Sequence, residues 1–287
     1  MEGTLKELGG GLYTYTRPLT GYGGSVNGSL LVLPGEALVV DTLCSPKDMD
    51  EFAALIGSRA TTVVYTHADW DHCLGTGGLK PERVIAHELT AQRLTEEGQS
   101  TLDDLTLKNP ELVSGASVVL PDTTFRDTFT IPLSGCLDGE PGEDGSLTAE
   151  LIHMPGHTGD SCVCWIPKLG VLIAGDAVED PFPSVTLATN IGLWADKLEE
   201  LGKTVSLVIP GHGNVSGPQL IAENVRYLRG LMGAARRNTP HPWLTPDVSL
   251  ETLDPGAAKR ISRMSRSDQA FYKDVHEENV RRVLSVL

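Results

Sequence analysis

Cysteine is scarce in this chain, and its number is odd. The five thiols, Cys44, Cys73, Cys136, Cys162 and Cys164, show no framework spacing, which argues against a disulfide-stapled scaffold and fits a reducing cytoplasm better than an oxidising compartment. Cys162 and Cys164 alternate within a strand-like run and read as small buried hydrophobes. Cys73 follows His72 directly and reads either as packing or as a neighbour of a metal. Long apolar runs are missing too: Ser29 to Val40 and Val205 to Ile209 are short or broken by proline, glycine and charge, well under the roughly 20 residues that span a bilayer. No membrane segment is expected. The opening residues Met1 to Glu7 lack an apolar stretch and a small-residue cleavage site, so the expected location is cytoplasmic. Positive charge is also in short supply, with 23 Lys and Arg against 38 Asp and Glu and a net charge of −15. Such a field repels polyanions, which argues against nucleic acid as a partner and leaves a small-molecule substrate. There is no Gly-x-Ser-x-Gly elbow for a serine nucleophile. Gly75-Thr76-Gly77-Gly78 lacks the Lys-Ser/Thr of a phosphate loop and reads as the start of a helix.

With 287 residues, 40% of them hydrophobic, the chain can bury a sizeable core in one large or two ordinary units. Short β-like runs occur at Leu12 to Tyr15, Ser29 to Leu33, Ala37 to Val40, Thr62 to Tyr65, Val84 to Ala86, Glu150 to Met154, Cys162 to Ile166, Val171 to Ala174 and Val205 to Ile209. Between them, helical spacing appears at Lys47 to Ile56, near Glu88 to Glu97, and from about Leu193 to Leu201. Strands interleaved with helices predict a layered α/β protein whose sheets are covered by helices. From Pro218 the pattern is mainly helical, through Ile221, Val225, Leu228 and Leu231. A proline-rich linker at Thr239 to Pro246 then precedes an amphipathic segment, Phe271 to Leu287. Residues 1–217 therefore read as the main unit and 218–287 as a helical extension packed on it, whose last helix could also serve a homodimer contact.

Chemistry gathers where strands stop. Asp41, His67, His157, Asp176 and His212 each fall at or just past the end of a predicted strand, where a rigid sheet presents loops to a ligand. The segment His67-Ala68-Asp69-Trp70-Asp71-His72 puts two imidazoles and two carboxylates into one turn, and Gly156-His157, Gly175-Asp176 and Gly211-His212 supply more. Imidazole and carboxylate suit zinc, iron or manganese. Seven candidate ligands exceed the four positions of one tetrahedral zinc, so a binuclear centre is expected. Trp70, between two of them, reads equally as a packing wedge and as a substrate contact. The remaining histidines, His87, His153, His241 and His276, read as helix-start, strand, linker and surface residues.

This succession resembles the metallo-β-lactamase-fold superfamily, whose signature is His-x-His-x-Asp-His, then a distant His, a bridging Asp and a final His. The resemblance covers roughly residues 10 to 215 and implies a four-layer αββα sandwich. It places His67, Asp69 and His157 on a first metal, Asp71, His72 and His212 on a second, and Asp176 between them. It gives Asp41 a supporting role through hydrogen bonds, with Thr158 and Ser161 steadying the loop after His157. Asp69 departs from the pattern, which has histidine there. That histidine commonly binds through its nearer ring nitrogen, as many bonds from the backbone as an aspartate oxygen, so the swap is sterically sound. A third carboxylate lowers the formal charge of the centre, which should polarise its water less and favour harder ions.

The implied activity is metal-dependent hydrolysis. Two divalent ions, zinc first with iron or manganese as alternatives, would hold a water or hydroxide that attacks an ester, lactone, thioester or phosphoester of a small molecule. Asp71 would be the catalytic residue that orients the nucleophile and accepts its proton. Two rivals stand beside this reading: a diiron redox protein resembling the flavodiiron core, suggested by the carboxylate at position 69, and a non-catalytic metal-binding scaffold.

Overall fold

The computed structural model describes residues 3–19, 22–134, 147–237 and 248–286. Cys136, His241 and the whole proline-rich linker, Thr239 to Pro246, lie outside the described residues. Two sheets face each other. The first has seven strands in sequence order, β1 (Thr4–Gly9), β2 (Leu12–Pro18), β3 (Ser25–Val32), β4 (Glu36–Val40), β5 (Ala60–Val64), β6 (Arg83–His87) and β7 (Thr123–Phe125). The second has five, in the order β12 (Leu207–Pro210), β11 (Val171–Gly175), β10 (Cys162–Ile166), β9 (Leu147–His153) and β8 (Thr128–Leu133).

The strand alternation in sequence decides the layers. In β4, Leu38 and Val40 point between the sheets while Val39 points outward; in β10, Cys162, Cys164 and Ile166 point between the sheets and Val163 and Trp165 outward. Successive side chains on a strand face opposite ways, so both faces of these central strands must be covered. The outer face of the first sheet is covered by α1 (Asp50–Ile56) and α3 (Glu88–Lys108), through Phe52, Ile56, Leu94, Leu102 and Leu105. The outer face of the second is covered by α4 (Ile191–Leu201), α5 (Gln219–Arg237), α6 (Leu250–Leu253), α7 (Pro255–Ile261) and α8 (Arg266–Val286). The result is the expected αββα sandwich. The helices after residue 217 share one hydrophobic cluster with Trp165, Leu172 and Trp194, so they form much of the fourth layer itself. No helix among the described residues is long and apolar enough to cross a membrane.

Parallel pairing aligns the strand ends that matter. β4 and β5 run parallel with Val40 opposite Val64, and β11 and β12 run parallel with Gly175 opposite Pro210. Asp41 therefore emerges beside Thr66 and His67, and Asp176 beside Gly211 and His212. The two sheets meet at this edge, where the Cys162 amide donates to the Thr66 carbonyl at 2.8 Å and the Asn27 amide to the Gly211 carbonyl at 2.8 Å.

Candidate metal centre

His67 follows β5, and the chain then turns into the short helix α2 (Trp70–Cys73), with Asp69 at its extended N-cap position (φ −68°, ψ 144°) and Asp71 and His72 within it. His157 sits in the connection between β9 and β10, Asp176 just after β11, and His212 just after β12. All seven predicted side chains converge. His67, Asp69 and His157 form one group with ligand atoms in mutual reach, Asp71, His72 and His212 a second, and His67 and His72 each reach Asp176. Asp176 Oδ2 lies 3.4 Å from His157 Nε2, 3.7 Å from His67 Nε2 and 3.2 Å from His212 Nε2, and its Oδ1 lies 3.1 Å from His72 Nε2.

Every imidazole presents the same face. His72 Nδ1 donates to Asp41 Oδ2 at 2.8 Å, His157 Nδ1 to the Ser184 carbonyl at 3.0 Å and His212 Nδ1 to the Ser25 carbonyl at 2.9 Å. His67 Nδ1 lies 3.0 Å from Thr66 Oγ1, whose own proton goes to Asp41 Oδ2 at 2.7 Å, so the hydroxyl accepts from the ring. With each outer nitrogen carrying the hydrogen, each Nε2 lone pair is turned toward the centre, which is how proteins prepare histidine for a cation. Asp41 also accepts from the Thr66 amide at 2.8 Å and has φ of 62°. Asp tolerates this left-handed backbone better than most residues. Thr158 and Ser161 hold the His157 loop as expected, with their hydroxyls 2.8 Å apart and the Thr158 amide donating to Ser161 Oγ.

The donors fit divalent cations. His67 Nε2, His72 Nε2 and Asp176 Oδ1 are buried without a hydrogen-bond partner, an arrangement costly in any protein unless something charged completes it. Burial disfavours a charged imidazole, yet Asp176 with Asp69 pushes His157 up to about 10, and Asp176 pushes His212 up to about 9. Burial would raise the Asp69 carboxyl, but His67 and His157 beside it hold it well below the usual range. The site attracts positive charge from every side. Close packing also fixes it: a Cβ on Gly211 would sit 2.0 Å from Asp176 Oδ1, and one on Gly175 would sit 2.4 Å from Thr66 Oγ1.

Three residues escaped the sequence reading. Arg93, on α3, donates to Asp69 at 2.8 Å and to Asp160 at 2.5 Å. Asp160, fully buried, accepts from the Ala68 amide at 2.9 Å and ties the two loops together. Glu179 joins His157 and Asp176 within ligand reach and accepts from the Ser184 amide; burial, and then Asp176, raise its carboxyl to about 7. Asp160 closes the loop that His157 opens, but nothing in spacing connects Arg93 or Glu179 to the site. The surface role expected of His276 is corrected: it is buried, 2.9 Å from Tyr227 Oη and 2.8 Å from the Val248 carbonyl. Gly75 to Gly78 forms a 3₁₀ turn rather than a helix start, pressed so closely on the preceding loop that a Cβ at Gly75 would lie 1.8 Å from the Thr42 carbonyl oxygen. Cys73 packs on the turn, its Sγ 3.3 Å from the Asp69 carbonyl oxygen. Trp70 packs on Tyr22, with ring centroids 5.1 Å apart.

The sequence pattern of the metallo-beta-lactamase superfamily matches residues 21–212. The chain belongs to that superfamily. Among its relatives, the acyl-coenzyme A thioesterase MBLAC2 of Bos taurus is 25% identical over 233 residues, covering 75% of this chain and 82% of that one. A type 2 metallo-beta-lactamase of a Bacillus species (strain 170) is 27% identical over 222 residues, covering 71% and 72%. Among solved structures, the metallo-beta-lactamase of Pontibacter korlensis superposes with a TM-score of 0.56 at 20% identity, covering 79% of this chain and 99% of that one. TMB-1 gives 0.57 at 21% identity, covering 77% and 94%. These likenesses establish the fold, and membership makes this metallo-beta-lactamase-superfamily protein a hydrolase.

Proposed function

We propose that the chain is a binuclear metal-dependent hydrolase that cleaves an acyl bond, ester or thioester, of a small molecule. The observation that carries the reading is the common orientation of the four histidines, each with Nδ1 tied outward and Nε2 aimed inward among carboxylates. His67, Asp69 and His157 would hold one divalent ion, Asp71, His72 and His212 a second, with Asp176 shared; zinc is the first candidate, and the oxygen ligand at Asp69 also suits manganese or iron. Bound there, such ions supply Lewis-acid polarisation of the scissile oxygen and lower the pKa of water.

The protein's own groups do the rest. Asp71 Oδ2, 3.6 Å from His212 Nε2, is placed to orient the attacking water and take up its proton. Asp41 fixes the tautomer of His72, and Asp160 fixes the loop that carries Asp69. A thioesterase and beta-lactamases both act on acyl carbonyl carbon, and their likeness to this chain supports an acyl substrate over a phosphoester. The test is a panel of acyl thioesters, esters, lactones and phosphoesters offered to the protein before chelation, after chelation, and after return of Zn2+, Mn2+ or Fe2+. Turnover of an acyl substrate that is lost on chelation and restored by metal is expected. Turnover indifferent to chelation would overturn the reading. Iron-dependent oxygen consumption without hydrolysis would favour the diiron alternative that the Asp69 carboxylate suggests.

A further inference from the structure

Arg93 is a fork between two carboxylates. Its Nη2 donates to Asp69 Oδ1 at 2.8 Å and its Nη1 to Asp160 Oδ1 at 2.5 Å. Asp160 is fully buried, and its other oxygen accepts from the Ala68 amide at 2.9 Å and from Thr90 Oγ1 at 3.1 Å. One guanidinium thus joins α3, the loop of Asp69 and the loop of His157. The arrangement divides the labour of the Asp69 carboxylate. Oδ1 is taken by Arg93, and Oδ2 is left facing His157 Nε2 at 3.3 Å and His67 Nε2 at 3.5 Å.

We propose that Arg93 is a positioning residue that converts Asp69 into a one-oxygen, charge-compensated ligand, so that the Arg93–Asp69 pair stands in for a neutral imidazole. The proposal rests on the metal-centre reading and is independent of the substrate. Geometry gives the first argument. A free carboxylate offers two equivalent oxygens and can chelate or rotate away, whereas one held by a planar guanidinium keeps a fixed oxygen for the centre. Charge gives the second. Aspartate brings one negative charge that histidine would not, and Arg93, only partly exposed, returns one positive charge at 2.8 Å from it. The compensation is partial, since the guanidinium lies beyond Oδ1 and farther from the centre than Oδ2. It nevertheless offsets the loss of charge that the ligand exchange dictates when Asp69 is considered by itself.

The pair predicts a coupling that a simple clamp between loops does not. If Arg93 acted only through Asp160, removing it would do the same harm whichever residue stood at position 69. If it serves the carboxylate, the harm should vanish once that carboxylate is gone. The test uses the full chain freed of metal and titrated with Co2+ against a chromogenic chelator, comparing wild type, Arg93→Met, Arg93→Lys, Asp69→His, Asp69→His/Arg93→Met and Asp69→His/Arg93→Lys. Wild type should take up two equivalents. Arg93→Met should weaken one of them by about 10–100-fold, the usual effect of removing a partner of a ligand, and should change the visible bands of the bound Co2+ as the carboxylate is released. Arg93→Lys keeps the charge without the fork and should fall between. In the Asp69→His background, replacing Arg93 by either residue should change affinity less than about threefold, against that same scale. Equal losses in both backgrounds would overturn the proposal, as would unchanged affinity and spectrum in both single variants at Arg93. Should Arg93→Met fail to fold, the lysine pair decides by the same criterion. A wild-type chain that binds no Co2+ would defeat the metal centre itself, a result distinguishable from two tight equivalents that ignore Arg93.

Discussion

At the scale of the residue, each histidine of the centre is held on two sides, its outer nitrogen by a hydrogen bond and its inner one among carboxylates. Asp71 is free of such a tether, with its carboxylate aimed at the space between His72 and His212. Asp71→Asn should therefore lower kcat by about 10²–10⁴-fold at saturating metal, the range for removing a general base, while the far-ultraviolet spectrum stays unchanged. A variant with wild-type kcat would move the proton acceptor elsewhere. Gly211→Ala tests packing rather than chemistry. Its added Cβ would stand 2.0 Å from Asp176 Oδ1, so metal uptake should drop although no ligand has been altered; full uptake would show that the backbone there yields. All seven candidate ligands could be named from sequence because each follows a strand end or lies in one turn. Arg93 could not, because an arginine on an amphipathic helix looks like any solvated charge until the tertiary fold sets it against Asp69.

Elements carry the support of the site over longer distances. Asn279 on α8 is fully buried; its Oδ1 accepts from the Val185 amide at 2.7 Å, and its Nδ2 donates to the Pro183 carbonyl at 2.9 Å and to Tyr227 Oη at 3.1 Å. Between these two anchored residues lies Ser184, whose carbonyl accepts from His157 Nδ1. The last long helix is thus a strut for a histidine far earlier in the chain. Asn279→Ala should cost about 1–3 kcal/mol by stranding the buried Val185 amide, and should loosen metal at the His157 group more than at the His212 group. Equal loosening of both would place the effect in general stability. The amphipathic character of this helix was legible, and so were the apolar central strands. β1, β7 and β8 were not. β1 is largely exposed and polar, β7 has three residues, and β8 alternates threonine with apolar residues on a half-exposed surface; what makes them strands is their partners, and pairing is not written in local composition.

For the whole molecule, electrostatics ties stability to metal and pH. In the metal-free chain His157 and His212 sit above their ordinary value, at about 10 and about 9, after Asp176 and its neighbours outweigh burial. A raised folded-state pKa means that the folded form binds more protons between the two values. This stabilisation is complete below about pH 6.5 and is lost as pH climbs through the folded values. Asp69 and Asp176, held low by the histidines against the effect of burial, contribute in the opposite sense, and their share is lost on acidification. Chelated protein should accordingly melt at lower temperature as pH rises from about 7 to about 10. Saturating Zn2+ should raise the midpoint most at the alkaline end, where no proton competes for the nitrogens. Parallel curves with and without metal would mean that the cation binds elsewhere.

In the proposed holoprotein, distant turns gather two cations side by side. Anomalous diffraction from a metal-loaded crystal, recorded on both sides of the absorption edge of the loaded element, tests this most directly. Two peaks are expected, one among His67, Asp69 and His157 and one among Asp71, His72 and His212, with Asp176 between them. A single peak, or peaks away from these side chains, would contradict it.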